Sequence, residues 1–188
     1  MPRPPRIQIA GGIYHVDTVA THGDRIFRDD ADRARWLRLL GTVAERCRWD
    51  CLMYCLLSTH YHLAIRIEKP NLARGMQYLN ARHAESVNHR HERQGHVFGA
   101  RYHSELVETQ QYLLELTRYI VLNPVRAGLC RRADDWGWSS YRSLLAPAPR
   151  ESFLTVDWLL LQFGPDVDRA RQRYRRFVAE GARLARAA

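Results

Sequence analysis

Lysine is almost absent from this chain of 188 residues, where Lys69 is the only lysine among 29 basic side chains. Arginine therefore supplies nearly all of the positive charge, and its planar guanidinium suits bidentate contacts with phosphate. The formal net charge is +9 and the sequence pI is about 9.9. This excess favours a polyanionic partner, with nucleic acid as the first candidate, although biased codon composition would produce the same arginine content.

The cysteines form no Cys-x-x-Cys pair. They are Cys47, Cys51, Cys55 and Cys130. This spacing favours neither a zinc knuckle nor the disulfide framework of a small secreted domain. Long apolar runs are missing too, since no window approaches the roughly eighteen residues that a membrane span requires. We therefore expect reduced thiols, no membrane segment and a cytoplasmic location.

Short segments with the character of strands are spread over the first two-thirds of the chain. Residues 13–20 are rich in β-branched and aromatic side chains, which is typical of strands, and residues 101–108 contain aromatic and aliphatic side chains consistent with a fourth strand. Segments 51–57 and 61–68 are also predicted strands. Because only residues 58–60 separate these two, they are expected to pair as a hairpin.

Apolar residues at helical spacing predict helices over residues 30–48, 72–90 and 109–123. Asp30 or Asp32 can cap the first helix, and the third is expected to stop at Asn123 because Pro124 follows. The order β-α-β-β-α-β plus one helix matches the ferredoxin-like split β-α-β unit. We therefore expect an α+β fold with an antiparallel sheet, two helices on one face, and an additional helix free to carry function.

The character of the chain changes beyond Gly128. Residues 146–149 are Ala-Pro-Ala-Pro and read as a linker, so the sequence divides into a main domain at 1–145 and a linker with a basic helical tail at 146–188. Residues 165–188 hold seven arginines and an apolar strip that includes Tyr174 and Phe177. This tail can be a solvated helix packed by one face on the domain, or a direct nucleic-acid contact.

His60 and His62 stand two residues apart at the start of the third predicted strand. Because side chains alternate across a strand, both imidazoles point to one face, about 6.6 Å apart along the strand. Two imidazoles can close that span around one ion, since metal–nitrogen distances are about 2.1 Å. The pair is a candidate metal site that lacks a third ligand, and two polar residues at a strand end are the alternative. His89 and His91 have the same spacing at a helix end, where residues two apart share no face, so we expect no metal there.

Tyr119 and Asn123 are four residues apart on the third predicted helix. Their side chains should lie one above the other, with β-carbons about 6 Å apart, so a phenol and a carboxamide could face one ion or substrate. Tyr112 and Leu116 continue the same spacing, which by itself favours a core tyrosine. An asparagine before a proline is also often only a helix terminator.

A series of short motifs runs through residues 11–145. In chain order they are Gly12-x-Tyr14-His15-Val16, Ile26-Phe27-Arg28-Asp29-Asp30-Ala31-Asp32, His60-Tyr61-His62-Leu63, Gly95-His96-Val97-Phe98, Arg101-Tyr102, Tyr119-Ile120-x-Leu122-Asn123-Pro124-Val125-Arg126-Ala127-Gly128-Leu129 and Trp138-Ser139-Ser140-Tyr141. Together and in this order they closely resemble the single-tyrosine HUH transposases, in particular the branch of REP-associated tyrosine transposases.

In that family two histidines and a polar residue on the tyrosine helix hold a divalent ion, commonly Mg²⁺ or Mn²⁺. The resemblance therefore implies that His60 and His62 are metal ligands, with Asn123 as the third. It implies that Tyr119 attacks a DNA phosphate, so that single-stranded or hairpin DNA is cut and rejoined through a covalent 5′-phosphotyrosine link. Relatives often have a lysine where this chain has His103.

Arg101, Tyr102, Arg118 and Arg126 flank the proposed centre in the sequence. They are candidate DNA contacts, because proteins that bind single strands combine arginines along the phosphates with aromatic faces that stack bases. Two other functions use the same residues. One is a nucleic-acid-binding module that does not cut, and the other is a metal-dependent phosphodiesterase that activates water. The sequence leaves open whether the protein is a monomer or a homodimer.

Overall fold

The computed structural model describes residues 8–146 and 151–187. Short 3₁₀ turns aside, the elements begin in chain order with β1 Ile13–Val19, α1 Asp30–Cys47, β2 Trp49–Leu56, β3 His60–Ile67, α2 Leu72–Arg90, β4 His103–Leu106 and α3 Gln110–Arg126. The helices α4 Tyr141–Leu145, α5 Val156–Leu160 and α6 Val167–Ala187 follow. The linker predicted at residues 146–149 lies outside the described residues, apart from Ala146.

The strands of the described residues form one antiparallel sheet in the order β2-β3-β1-β4. β1 and β3 are central, and α1 and α2 cover one face by packing side chains such as Trp36 and Met76 against Tyr61 and Leu63. The opposite face meets α3. This arrangement confirms the predicted ferredoxin-like α+β fold with an additional helix.

The sequence predicted Asp30 or Asp32 as the N-cap of α1, but the helix already begins at Asp30. The cap is Asp29, whose carboxylate accepts a hydrogen bond from the backbone N–H of Asp32 at 2.9 Å. The helix ends at Cys47, and Arg48 then adopts a left-handed conformation with φ of 52°. This tight reversal leads directly into β2, so that α1 returns across the sheet without a long loop.

α3 continues past the residue where the sequence predicted its end, so that prediction was wrong. Pro124 lies inside the helix, which runs to Arg126. Proline removes one backbone donor and is unfavourable inside a helix, but the helix still continues, since Ala127 N–H donates to the Asn123 carbonyl at 2.9 Å. Burial of Asn123 and Pro124 in this turn outweighs the local preference against helix before proline.

α6 packs one face on α3. Tyr174 and Val178 are buried, and the Tyr174 hydroxyl donates to the Thr117 carbonyl at 3.3 Å. The same apolar cluster contains Ile120 of α3 and Leu160 of α5. The tail thus includes a packed amphipathic helix, as one of the two interpretations predicted. Within the described residues no helix is long and apolar enough to cross a bilayer.

His83 on α2 makes the stability of the fold depend on pH. Its side chain is 2% exposed, its Nε2–H donates to the Ile26 carbonyl at 2.7 Å, and burial lowers its pKa to about 4. The pKa of a histidine in the unfolded chain is about 6.5. Between pH 6.5 and 4 the unfolded chain therefore binds a proton that the folded chain rejects, and stability is lost as the pH falls.

We expect the His83 contribution to lower the free energy of unfolding by about 2 kcal/mol between pH 7 and pH 5. His83→Gln retains a donor for the carbonyl and should lose this part of the pH dependence. Urea unfolding of both proteins at the two pH values measures it. His89→Gln, at an exposed position of the same helix, should behave as the wild type. An unchanged pH dependence in His83→Gln would contradict the assignment.

Candidate active site

His60 and His62 lie on the face of β3 that meets α3. Tyr61 and Leu63, which alternate with them, belong to the apolar cluster under α1 and α2. The predicted alternation is therefore confirmed. His62 is 6% exposed and His60 is half-buried, with ring centroids 5.2 Å apart. Both imidazoles therefore face α3, the helix that carries Tyr119.

Tyr119 is at the surface, directly over the histidines. Its ring centroid is 5.3 Å from that of His62 and 5.9 Å from that of His15, in near-perpendicular contacts. The side chain is 38% exposed, and the Arg126 guanidinium lies 5.1 Å from its ring centroid. This exposure contradicts the core-tyrosine interpretation that helical spacing favoured. A substrate in solution can therefore reach Tyr119.

Asn123 brings its carboxamide to His60. Asn123 Oδ1 is 3.4 Å from His60 Nε2, while His60 Nδ1 is 3.0 Å from Thr59 Oγ1. When Nδ1–H donates to Thr59, Nε2 presents a lone pair towards the lone pairs of the Asn123 oxygen. Asn123 Nδ2 is buried without a hydrogen-bond partner among the described residues. In that tautomer a bound cation would satisfy both facing acceptors.

His15 and Asp17 on β1 complete the cluster, and the sequence analysis gave them no role. Asp17 pairs with His62 across the β1–β3 ladder. His15 Nε2 is 3.1 Å from His62 Nδ1, and the possible ligand atoms of His15, Asp17 and His62 all lie within 4.8 Å of one another. The alternation His15-x-Asp17 was visible in the sequence, but it does not show which strand becomes the neighbour.

Burial keeps the inner histidines neutral. It lowers the pKa of His62 to about 3, and the nearby His15 and His60 add to the effect. It also lowers the pKa of His15, although Asp17 and Glu105 act in the opposite direction. At neutral pH both rings are therefore imidazoles, which is the form that ligates metals.

The donor set fits a divalent ion. Donors bound at about 2.1 Å lie about 3.0 Å apart at right angles and about 3.4 Å apart at tetrahedral angles. The separations of 3.1 Å between His15 and His62 nitrogens and 3.4 Å between His60 and Asn123 match this range. His60, His62 and Asn123 could hold the ion, and the possible ligand atoms of His15 and Asp17 lie beside those of His62.

A pocket of about 380 Å³ opens beside Tyr119. Its lining residues are His15, Glu105, Tyr112, Glu115, Leu116, Arg118, Tyr119 and Arg126. The volume is at the lower end of small-ligand sites. It therefore offers room for a nucleotide-sized group next to the phenol, with arginine at its wall.

Two of the predicted DNA contacts lie at this pocket. Arg126 is exposed and covers the ring of Tyr119. Arg118 is held between helices, because it pairs with Glu115 and its guanidinium lies 4.4 Å from the ring centroid of Phe177 on α6. Arg126 is thus free to follow a phosphate, whereas Arg118 must leave an existing contact to do so.

The other two predicted contacts lie elsewhere. Arg101 is exposed and, with Met76 and Gln77 of α2, lines a separate cavity of about 770 Å³. Tyr102 is 6% exposed and belongs to the core under α1 and α2. Tyr102 also lines the cavity of Arg101, so both residues lie on the α2 side of the sheet, away from the pocket beside Tyr119.

A second group of possible metal ligands is better explained as an ion-pair network. Asp29, Asp32 and His91 lie together, but Arg90 donates to both carboxylates. The hydrogen bond from Arg90 lowers the pKa of Asp29 to about 2. The Arg90 guanidinium already balances the negative charge of the two carboxylates, where a metal ion would otherwise do so. The network thereby joins α2 to the start of α1.

Comparison with known proteins gives both a family and a fold. The family described as "Transposase IS200 like" matches residues 9–123. No curated protein matches the chain. A solved structure described as "Structure of the REP associates tyrosine transposase bound to a REP hairpin" matches with a TM-score of 0.67 at 15% identity, over 89% of this chain and 93% of that one.

At this identity the solved structure establishes a shared fold. It belongs to the branch that the sequence motifs resemble, and the family match extends from the start of the first strand through the histidine pair to Asn123 on the tyrosine helix. On this match, which spans more than half of the sequence, the chain belongs to the IS200-like transposase family.

Proposed function

We propose that this protein is a metal-dependent transposase that cuts and rejoins single-stranded DNA, with Tyr119 as the nucleophile. The observation that carries the proposal is the exposed phenol over the imidazole cluster. Tyr119 is 38% exposed, and its ring centroid is 5.3 Å from that of His62. A phenol that only filled the core would not be open to a phosphate at this place.

The ligands proposed for the ion are His60, His62 and Asn123. A divalent ion such as Mg²⁺ or Mn²⁺ supplies Lewis-acid stabilisation of the charge that builds on the phosphate oxygens. The His60–Asn123 separation of 3.4 Å and the burial of His62 support this assignment.

Tyr119 would act by in-line displacement. Its hydroxyl oxygen forms a bond to phosphorus, and the bond from phosphorus to the 3′ oxygen of the preceding nucleotide breaks. The products are a 5′-phosphotyrosine and a free 3′-hydroxyl, so the proton lost by the phenol is balanced by the proton gained by the 3′ oxygen. The reverse attack by another 3′-hydroxyl rejoins the strand, and because a phosphodiester replaces a phosphodiester, no nucleotide triphosphate is consumed.

Tyr119 needs help because a phenol has a pKa near 10 and is mostly protonated at neutral pH. Arg126 can provide part of this help. Its guanidinium lies 5.1 Å from the ring centroid, where a positive charge attracts the phosphate to the phenol. Arg118 and Arg126 at the pocket wall are proposed phosphate contacts. Arg101 is proposed to contact a more distant part of the DNA along the other cavity.

The DNA substrate is proposed to contain a hairpin with a single-stranded flank. The support is the solved structure of the same fold, whose description places a REP hairpin on that protein. A net charge of +9 agrees with a substrate that presents many phosphates. The cleaved phosphate would lie in the flank, because the pocket beside Tyr119 is too small for a duplex.

The proposal is tested by trapping the covalent product. Stem-loop oligonucleotides from the DNA flanking the gene are labelled on the 3′ side of the expected cleavage point and incubated with the protein. We expect a denaturant-resistant protein–DNA adduct with Mn²⁺ or Mg²⁺, and none after the metal is removed with EDTA. Adduct formation that is unaffected by EDTA would exclude the metal-dependent mechanism.

A further inference from the structure

His15 is the histidine that the proposed ligand set leaves unused. It lies on β1 and is 9% exposed, and its ring stacks on that of His62 with centroids 5.3 Å apart. Its Nε2 approaches His62 Nδ1 to 3.1 Å. A buried imidazole aimed at another imidazole has either an N–H···N hydrogen bond or a shared cation to satisfy both nitrogens.

The surroundings favour the cation. The possible ligand atoms of His15, Asp17 and His62 lie within 4.8 Å of one another. The donor separation in the pair His15–His62, and that in the pair His60–Asn123, is each one that two ligands of a single ion can have. An N–H···N bond alone would explain the first contact but not the Asp17 carboxylate beside it.

Asp17 accepts a hydrogen bond from a neighbouring side chain, as metal-ligating carboxylates usually do. His103 Nδ1–H donates to Asp17 Oδ1 at 3.0 Å from the neighbouring strand β4. Hydrogen bonds of this kind orient metal ligands, and their loss typically costs about 10- to 100-fold in metal affinity. His103 therefore orients the Asp17 carboxylate in this chain.

We propose that His15 and Asp17 are additional ligands of the divalent ion, giving a nitrogen-rich site that binds Mn²⁺ more tightly than Mg²⁺. This inference rests on the proposed metal-dependent function. Imidazole suits the transition metals, whereas Mg²⁺ prefers carboxylate, carbonyl and water oxygens. Each added imidazole therefore increases the preference for Mn²⁺.

The test measures metal binding without DNA. Titration of the full chain with Mn²⁺, followed by the electron paramagnetic resonance signal of the free ion, gives the affinity, and competition by Mg²⁺ gives the selectivity. We expect His15→Gln to weaken Mn²⁺ binding at least about tenfold and to change Mg²⁺ binding much less. The electron spin-echo modulation from coordinated imidazole nitrogen should also decrease in this variant.

His89→Gln is the matched control, because it removes an exposed histidine on α2, and it should bind Mn²⁺ as the wild type does. Asp17→Asn is a second variant that keeps the side-chain shape, and it should also weaken Mn²⁺ binding. If His15→Gln and Asp17→Asn leave affinity and nitrogen modulation unchanged while His62→Gln abolishes both, the inference is wrong and the proposed metal site stands. If the wild type binds neither ion, both proposals fail.

Discussion

Tyr119→Phe should abolish the covalent protein–DNA adduct and reduce strand cleavage by at least about 10³-fold. The substitution removes only the hydroxyl oxygen. The ring can keep its edge contacts with His15 and His62, so the fold and the metal affinity should be unchanged. The adduct is quantified on denaturing gels with labelled oligonucleotide and Mn²⁺, together with circular dichroism and Mn²⁺ titration of the variant.

Tyr78→Phe is the matched control. Tyr78 is also 38% exposed, but it lies on α2, among Arg46 and Arg82 and under the opposite face of the sheet. This variant should form the adduct at the wild-type rate. Cleavage that persists in Tyr119→Phe without an adduct would instead identify a phosphodiesterase that activates water. DNA binding without cleavage by the wild type would identify a module that does not cut.

Gly75→Ala should destabilise the protein by about 2–3 kcal/mol, although alanine is the better helix former by about 1 kcal/mol. A β-carbon on Gly75 would lie 2.2 Å from Trp49 Cζ2 and 3.1 Å from Cys47 Sγ. Trp49 cannot easily move away, because it is 5% exposed and its Nε1–H donates to Asn71 Oδ1 at 2.8 Å. For a chain of this size the midpoint of thermal unfolding should fall by roughly 5–10 °C.

Gly41→Ala provides the comparison for this prediction. Gly41 is also inside a helix, but its added β-carbon would meet Phe153 Cδ1 at 3.0 Å, a side chain that is only partly buried and can shift. We expect its free energy of unfolding to remain within about 1 kcal/mol of that of the wild type. Equal stability of the two variants would show that α2 does not pack against Trp49 as described.

Much of the fold could be predicted because its elements depend on local periodicity. The alternation of β3 predicted that His60 and His62 share a face, and Leu63 indeed packs on the other side. The predicted end of α3 was wrong, because the preference of the residue before a proline for extended backbone did not stop the helix at Asn123. Asn123 and Pro124 are both buried in its last turn. The free energy gained by burying this turn exceeds the local preference against a helix before proline.

The pairing of distant segments could not be predicted from local pattern. Arg101 and Tyr102 were grouped with Arg118 because all three are near the centre in sequence. The structure separates them, with Tyr102 buried under α1 and α2 and Arg118 between α3 and α6. A side chain's face follows from its own strand or helix, but what lies opposite that face depends on the packing of the whole sheet.

By itself the sequence determined the α+β fold, the family, and a histidine pair and tyrosine on elements that could meet. Only the tertiary structure decided that Tyr119 is exposed over those histidines and that His15 and Asp17 join them from β1. The reason is that strand register aligns residues about fifty positions apart in the chain, as in the pairing of Asp17 with His62. Such alignment results from cooperative burial of both sheet faces, which no short segment encodes alone.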